Sequence, residues 1–333
     1  MKYILAICIA FGLLIFSGCS TKRKYFEPQN IDKEMSYSQN LPSSIKYTAR
    51  DGATLEDGQI ITKTGLKNTV KLEENDRFIG EFDGKFIVSN LDGTLKILDL
   101  QNTVYERKFP QAIVAASLSG SKLAALSSRN TIYLVDIYRD SVDLEYVVGD
   151  TYAQDSRTAA PIFLSSLIVY PTLDGKIMIV DKTSGNIIRD AVVSSEPFFN
   201  NIIYLDVFED KMFAATATKV MMISPSLTKE YSGQIKDVIL YKNRIYVLLK
   251  DGFIEAMDLN LNSIAKTEFK FAIFSNIIPK GDYLYIIEKT GYLLKTNLDL
   301  TSQEVIELNG EIEDKSFASK NTFYYDDKIL KLD

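Results

Sequence analysis

Asp174 and Asp181 stand seven residues apart in the stretch DGKIMIVDKTSG. Two carboxylates that bracket an apolar run permit three chemistries. They can offer oxygen ligands to calcium, work as acid and base on a glycosidic bond, or fix the turns at the two ends of a strand. A calcium loop needs several oxygen ligands at alternating positions of one short segment, whereas each turn here supplies one or two. Carboxylate catalysis needs two such groups facing each other, which a linear pattern does not establish. The turn reading asks for least: glycine after aspartate tolerates positive φ, and the aspartate accepts bonds from nearby backbone N–H groups.

The remaining inventory narrows the chemistry further. The 333 residues contain no histidine and no tryptophan, and their only cysteines are Cys8 and Cys19. Histidine-dependent nucleophilic catalysis and the common zinc sites are thereby excluded, and beyond Cys19 there is neither a disulfide nor a thiolate nucleophile. With 46% apolar and 25% charged residues the chain can bury a large core. A formal charge of −6 and a pI near 5.1 argue against a nucleic-acid partner and against an anionic membrane surface.

The aspartate-bracketed strand recurs. Copies read DGTLKILD at 92–99, RNTIYLVD at 129–136, DGKIMIVD at 174–181 and DGFIEAMD at 251–258. Weaker copies lie at 217–224, 290–297 and 326–333. From 99 to 333 the seven end-points advance in six steps, a mean of 39 residues. Each is preceded by another apolar strand entered through a turn, as in DGKFIVSN at 83–90, and complete copies are followed by an outer strand such as VYERKF at 104–109. Four short strands in about 40 residues are the pattern of a β-propeller blade. The expectation is an all-β propeller of four-stranded blades over 45–333, with seven blades and eight as the alternative, because DGQIITKT at 57–64 also fits the spacing. In the seven-bladed form an N-terminal strand from 59–65 or 68–72 completes the last blade.

The amino terminus reads as an address. Lys2, an uncharged apolar run from Tyr3 to Phe16, and the small residues Ser17 and Gly18 before Cys19 form a secretory signal over 1–18. An uncleaved membrane anchor flanked by TKRK at 21–24 is the alternative. The stretch FSGC resembles the lipobox of bacterial lipoproteins, with Phe16 in the leucine place. That resemblance implies a diacylglycerol on the Cys19 sulfur and an acyl chain on its amine, palmitate being typical. Ser20 stands where aspartate would retain such a protein in the inner membrane, which points to the outer one. Residues 19–44 are polar and without periodicity, the expectation for a lipidated end and flexible tether.

KIMIVDKTSGNIIRD resembles the quinoprotein-type propeller repeat, with Asp181, Ser184 and Gly185 in matching places; DGFIEAMDLNLNSIAKTEF keeps Ala256 and Asp258 but has Ser263 where that glycine falls. With the lipobox and short tether, the whole resembles the BamB family, accessory lipoproteins of the outer-membrane β-barrel assembly machinery. The tryptophan that docks each quinoprotein blade to the next is missing, Ile188 and Arg189 filling its region, and nothing matches a pyrroloquinoline quinone site. The resemblance therefore implies no cofactor beyond the lipid on Cys19.

Acidic clusters at 73–76 and 311–314 read as solvated loop charge, and the 19 tyrosines and 18 phenylalanines as core and blade-to-blade packing. Two stretches break the repeat. DSVDLEYVVGDTYAQDSRTAAP at 140–161 is long for a blade connection and offers Tyr152 and Arg157 as partner anchors; SSEPFFNNIIY at 194–204 offers Phe198 and Phe199. The functional expectation is a non-catalytic, membrane-anchored scaffold facing the periplasm, with the β-barrel assembly complex or another envelope protein as partner. The alternatives are a carboxylate-based enzyme or glycan-binding propeller with its site at the central channel, and a surface-exposed adhesin.

Overall fold

A computed structural model describes residues 24–100, 102–151 and 155–332. Eight sheets cover 45–67, 77–108, 113–147, 162–192, 204–232, 235–268, 274–308 and 316–331, here blades 1 to 8. Blades 1 to 7 each hold four antiparallel strands in chain order, and blade 8 supplies three of its own. The first strands of neighbouring blades touch around a central axis, blades 4 and 5 meeting instead through Val169, Ile177, Met212 and Ala214, and that of blade 8 touches that of blade 1, so the ring closes.

The blade count corrects the expectation of seven. Residues 59–65 do not complete the last blade; Ile60–Thr62 and Gly65–Lys67 belong to blade 1, with Ile45–Ala49 and Gly52–Leu55. Its strands of three to five residues carry too little apolar periodicity to register as a repeat. Segment 68–72 forms no strand either, although Val70 and Leu72 are buried beside Phe78.

Closure comes from the segment expected to be a tether. Gln39–Asn40 pairs antiparallel with Lys328–Lys331 as the fourth strand of blade 8. Lys33–Met35 runs parallel to Gln303–Leu308 as a fifth strand on blade 7. Phe26 goes deeper, lying 8% exposed between blades 6 and 7 with its ring edge-on to Phe269 at 6.2 Å and Tyr292 at 5.5 Å. From residue 24 onward this segment is a strap across three blades. The sequence has no periodicity there because the strap borrows its hydrogen bonds from strands already formed.

Burial follows the layer. Thr131–Asp136, third in blade 3, is buried along its whole length because neighbouring blades cover both its faces. Asn102–Lys108, outermost in blade 2, alternates toward solvent. Tyrosine does the docking that tryptophan does elsewhere: the Tyr170 hydroxyl donates to the Tyr133 carbonyl at 2.9 Å between blades 4 and 3, and Tyr246 to the Leu298 carbonyl at 3.0 Å between blades 6 and 7.

The bracketing aspartates are turn residues. Asp181 Oδ1 accepts from the Thr183 and Ser184 amides at 3.0 and 2.7 Å, Asp136 Oδ1 from Tyr138 and Arg139, and Asp258 Oδ1 from Asn260 and Asn262. In each case the amides engage one oxygen of the carboxylate, as a turn-capping aspartate does.

Truncating Phe26 to alanine should cost about 3 kcal/mol, as for other buried aromatic side chains, read as a lowered urea midpoint. An unchanged midpoint would mean the strap is incidental to the ring.

Candidate partner-binding face

In an antiparallel blade the connections leaving the outermost strand for the next blade lie on the same ring face as the turns between second and third strands. Both stretches that break the repeat are such connections, and the structure joins them. The Asp155 amide donates to Asn201 Oδ1 at 2.7 Å, Asn201 Nδ2 donates to the Asp155 carbonyl and to Thr158 Oγ1, each at 3.1 Å, and the Ala159 amide donates to the Ile202 carbonyl at 2.9 Å.

The Asp174–Gly175 turn supports this pair from below. Asn200 Nδ2 donates to the carbonyls of Asp174 and Ser194 at 2.9 Å each. A Cβ on Gly175 would lie 2.3 Å from Asn200 Nδ2, so the close approach requires glycine, as does its φ of 83°. Asp174 Oδ1 in turn accepts from Thr172 Oγ1 at 2.6 Å and from Asn130 Nδ2 of blade 3 at 3.0 Å, and its second oxygen pairs with Lys176 at 2.7 Å. Burial alone would raise the Asp174 carboxyl, but these donors outweigh it and hold it below the usual carboxylate range.

Phe198 and Phe199 are 58% and 56% exposed on the supported loop. Phe199 has a φ of 52°, a left-handed conformation costly for a bulky side chain, and the two asparagine anchors that follow it hold it. Arg157, expected as a partner anchor, is engaged within the protein. It pairs with Asp155 through Nε at 2.9 Å and Nη2 at 2.5 Å, and Nη1 donates to the Lys236 carbonyl of blade 6, so it reaches into the central channel. Asp155 is held below its ordinary range because these bonds outweigh its burial. Tyr152 and Cys19 lie outside the described residues.

Arg50, at the end of the first strand of blade 1, crosses the channel to Asp237 of blade 6 at 2.7 Å and stacks over Tyr204 of blade 5 at 5.6 Å. Its Nη2 also donates to the Val238 carbonyl at 3.3 Å. Two arginines thus span the channel and tie its walls together.

No family model matches the chain. It is 28% identical to a plasminogen-binding protein. That protein is PgbB of Helicobacter pylori J99, with 96% of this chain aligned to 70% of PgbB. PgbB of H. pylori 26695 matches equally, over 69% of its length. Among solved structures, BamB from Moraxella catarrhalis superposes with a TM-score of 0.68 at 16% identity, covering 88% of this chain and 99% of that one. The likeness to BamB is one of propeller fold.

Sequence reasoning singled out both loops but not the groups in the channel, Arg50, Lys236, Asp237 and Asn276. The signal available was the pair Lys236-Asp237 inside the otherwise apolar strand Ile235–Tyr241, where charge demands a partner across the axis.

Asp237→Asn should cost about 3 kcal/mol by leaving the Arg50 guanidinium without its counter-charge, measured by chemical denaturation. In Asp174→Asn the acid limb of the stability profile should flatten. The depressed carboxyl contributes stability above the ordinary aspartate range and loses it as pH falls through the folded value; a limb identical to wild type would contradict that assignment.

Proposed function

We propose that the chain is a non-catalytic binding propeller of the cell envelope that holds a protein partner on the face carrying Phe198 and Phe199. The observation behind this reading is the aromatic pair itself, exposed on a loop that a buried polar network keeps rigid, since preorganised aromatic anchors are what interface hot spots consist of. Plasminogen is the first partner to consider, because the PgbB relatives are named for binding it and align with nearly all of this chain. The BamB-like fold supports a scaffold role in general, with the β-barrel assembly complex as the second partner. Catalysis is disfavoured by the state of two of the four channel carboxylates: Asp155 and Asp237 are committed to arginines, and Asp155 is shifted away from the raised pKa an acid catalyst needs.

Anchoring is the second half of the proposal. A lipid on Cys19 would stand five residues from Lys24, a reach of at most about 18 Å. The corner of blades 6 and 7 where the strap begins, with Tyr25 54% exposed, would then lie against the membrane.

With immobilised plasminogen, Phe198→Ser/Phe199→Ser should lower affinity about tenfold or more, as expected for two hot-spot aromatics. Tyr138→Ser, 81% exposed in a turn on the opposite face, should leave it unchanged. Equal binding by the double variant and wild type would sink the assignment of this face. Separately, Cys19→Ser should move the protein out of the detergent phase on Triton X-114 partition, and protease shaving of intact cells should then decide which side of the outer membrane it faces.

A further inference from the structure

We propose that the mouth of the central channel binds a carboxylate group of a ligand, seated against Lys236, Lys289 and the side-chain amide of Asn276. The inference deepens the reading of this face as a partner surface.

All three groups line one cavity of about 630 Å³ on the axis. Of its cations, Lys63 pairs with Asp51, and the others divide into two sets. Arg50 and Arg157 are committed to Asp237 and Asp155, and their remaining donors reach the carbonyls of Val238 and Lys236. Lys236 and Lys289 make no side-chain hydrogen bond or ion pair among the described residues. Arg157 and Lys289 act on Lys236 directly and Arg50 lines the same cavity, against two carboxylates, Asp155 and Asp237, both already paired. Burial, reinforced by Arg157, pulls the Lys236 ammonium down to about 8. A half-buried cation with an excess of positive charge around it is the arrangement that an incoming anion relieves.

Asn276 adds direction. Its Oδ1 accepts the hydroxyls of Ser275 at 2.8 Å and Ser316 at 3.0 Å, which fixes the amide plane and leaves Nδ2 donating to nothing among the described residues. Two ammonium groups and a planar amide present donors in excess of acceptors, and a carboxylate has two oxygens to share among them. The other lining carboxylates are Asp206, engaged by the Tyr204 hydroxyl at 3.1 Å, and Asp314 on the connection into blade 8, which opposes an anion. A carboxylate is the anion a protein partner carries, either on an acidic side chain or at its C-terminus.

Reductive methylation with ¹³C-formaldehyde keeps every lysine charged and gives each an NMR signal, with Lys236 and Lys289 assigned by Lys236→Arg and Lys289→Arg. The full chain would be titrated with acetylglycine for a terminal carboxylate, N-acetylaspartate α-methylamide for a side-chain one, inorganic phosphate, and acetamide as the uncharged control. The proposal expects at least one carboxylate probe to move both signals along a saturable curve while acetamide moves neither. Asp314→Asn should tighten the response several-fold and Asn276→Ala weaken it, and the response should fade as pH rises through about 8. Whichever carboxylate probe binds tighter identifies the source. Phosphate binding at least as tightly as either, or both signals drifting only in step with all other lysines, would overturn the carboxylate site. No protein partner enters the titration, so loss of plasminogen binding and loss of this site are separate results.

Discussion

A twisted four-stranded sheet cannot cover its own two faces, and every other feature of this molecule follows from that constraint. Each blade leans on the next, so the largely buried third strands, the tyrosines that staple blade to blade and the small residues where strands cross all express one requirement. Gly52 illustrates it, since a Cβ there would fall 2.2 Å from the Phe78 ring of the neighbouring blade. A linear array would leave two such faces bare at its ends. The ring leaves none, provided its last blade is completed, and two residues from the amino-terminal strap complete it.

The polar groups of one ring face form a second order of structure upon that frame. Asn130 holds Asp174, the Asp174–Gly175 turn holds Asn200, its neighbour Asn201 holds Asp155, and Asp155 holds Arg157 over the carbonyl of Lys236. The links run through turns and connections of successive blades, so blades 3 to 6 share one hydrogen-bonded track around the channel. The exposed phenylalanines are the apolar product of that track, and Lys236 and Lys289, without an ion pair among the described residues, its electrostatic remainder. The aspartate-glycine turn of blade 4, like those of blades 2 and 6, bonds the connection that leaves its blade, and through Asn200 it also supports a loop.

Much of the frame was legible in the residues. All seven strand pairs found by their bracketing turns are strand pairs, because short apolar runs between Asp-Gly or Lys-Asn turns can form little else. Blade 1 was harder, since GLK and IIT show no alternation over three residues, and the strap was illegible, since Phe26 gains its meaning only from Phe269 and Tyr292 far along the chain. The same division holds for the candidate site. Phe198 and Phe199 were visible as an aromatic pair inside a polar turn, whereas the interior role of Arg157 depends on Lys236, 79 residues away. Loops announce themselves by composition; contacts across an axis do not.

The seam that closes the ring also sets the order in which the molecule can mature. Ser38 and Ile329 meet across 291 residues of chain, and the strand that Gln39–Asn40 joins ends at Lys331. Blades 1 to 7 can form from the amino end as the chain emerges, but the seam waits for the final strands. Contacts of such sequence separation carry the largest loop-closure entropy and form late. During that interval the edge of blade 8 and the resting place of the strap remain open to other strands, so the unfinished ring is a species that chaperones would meet.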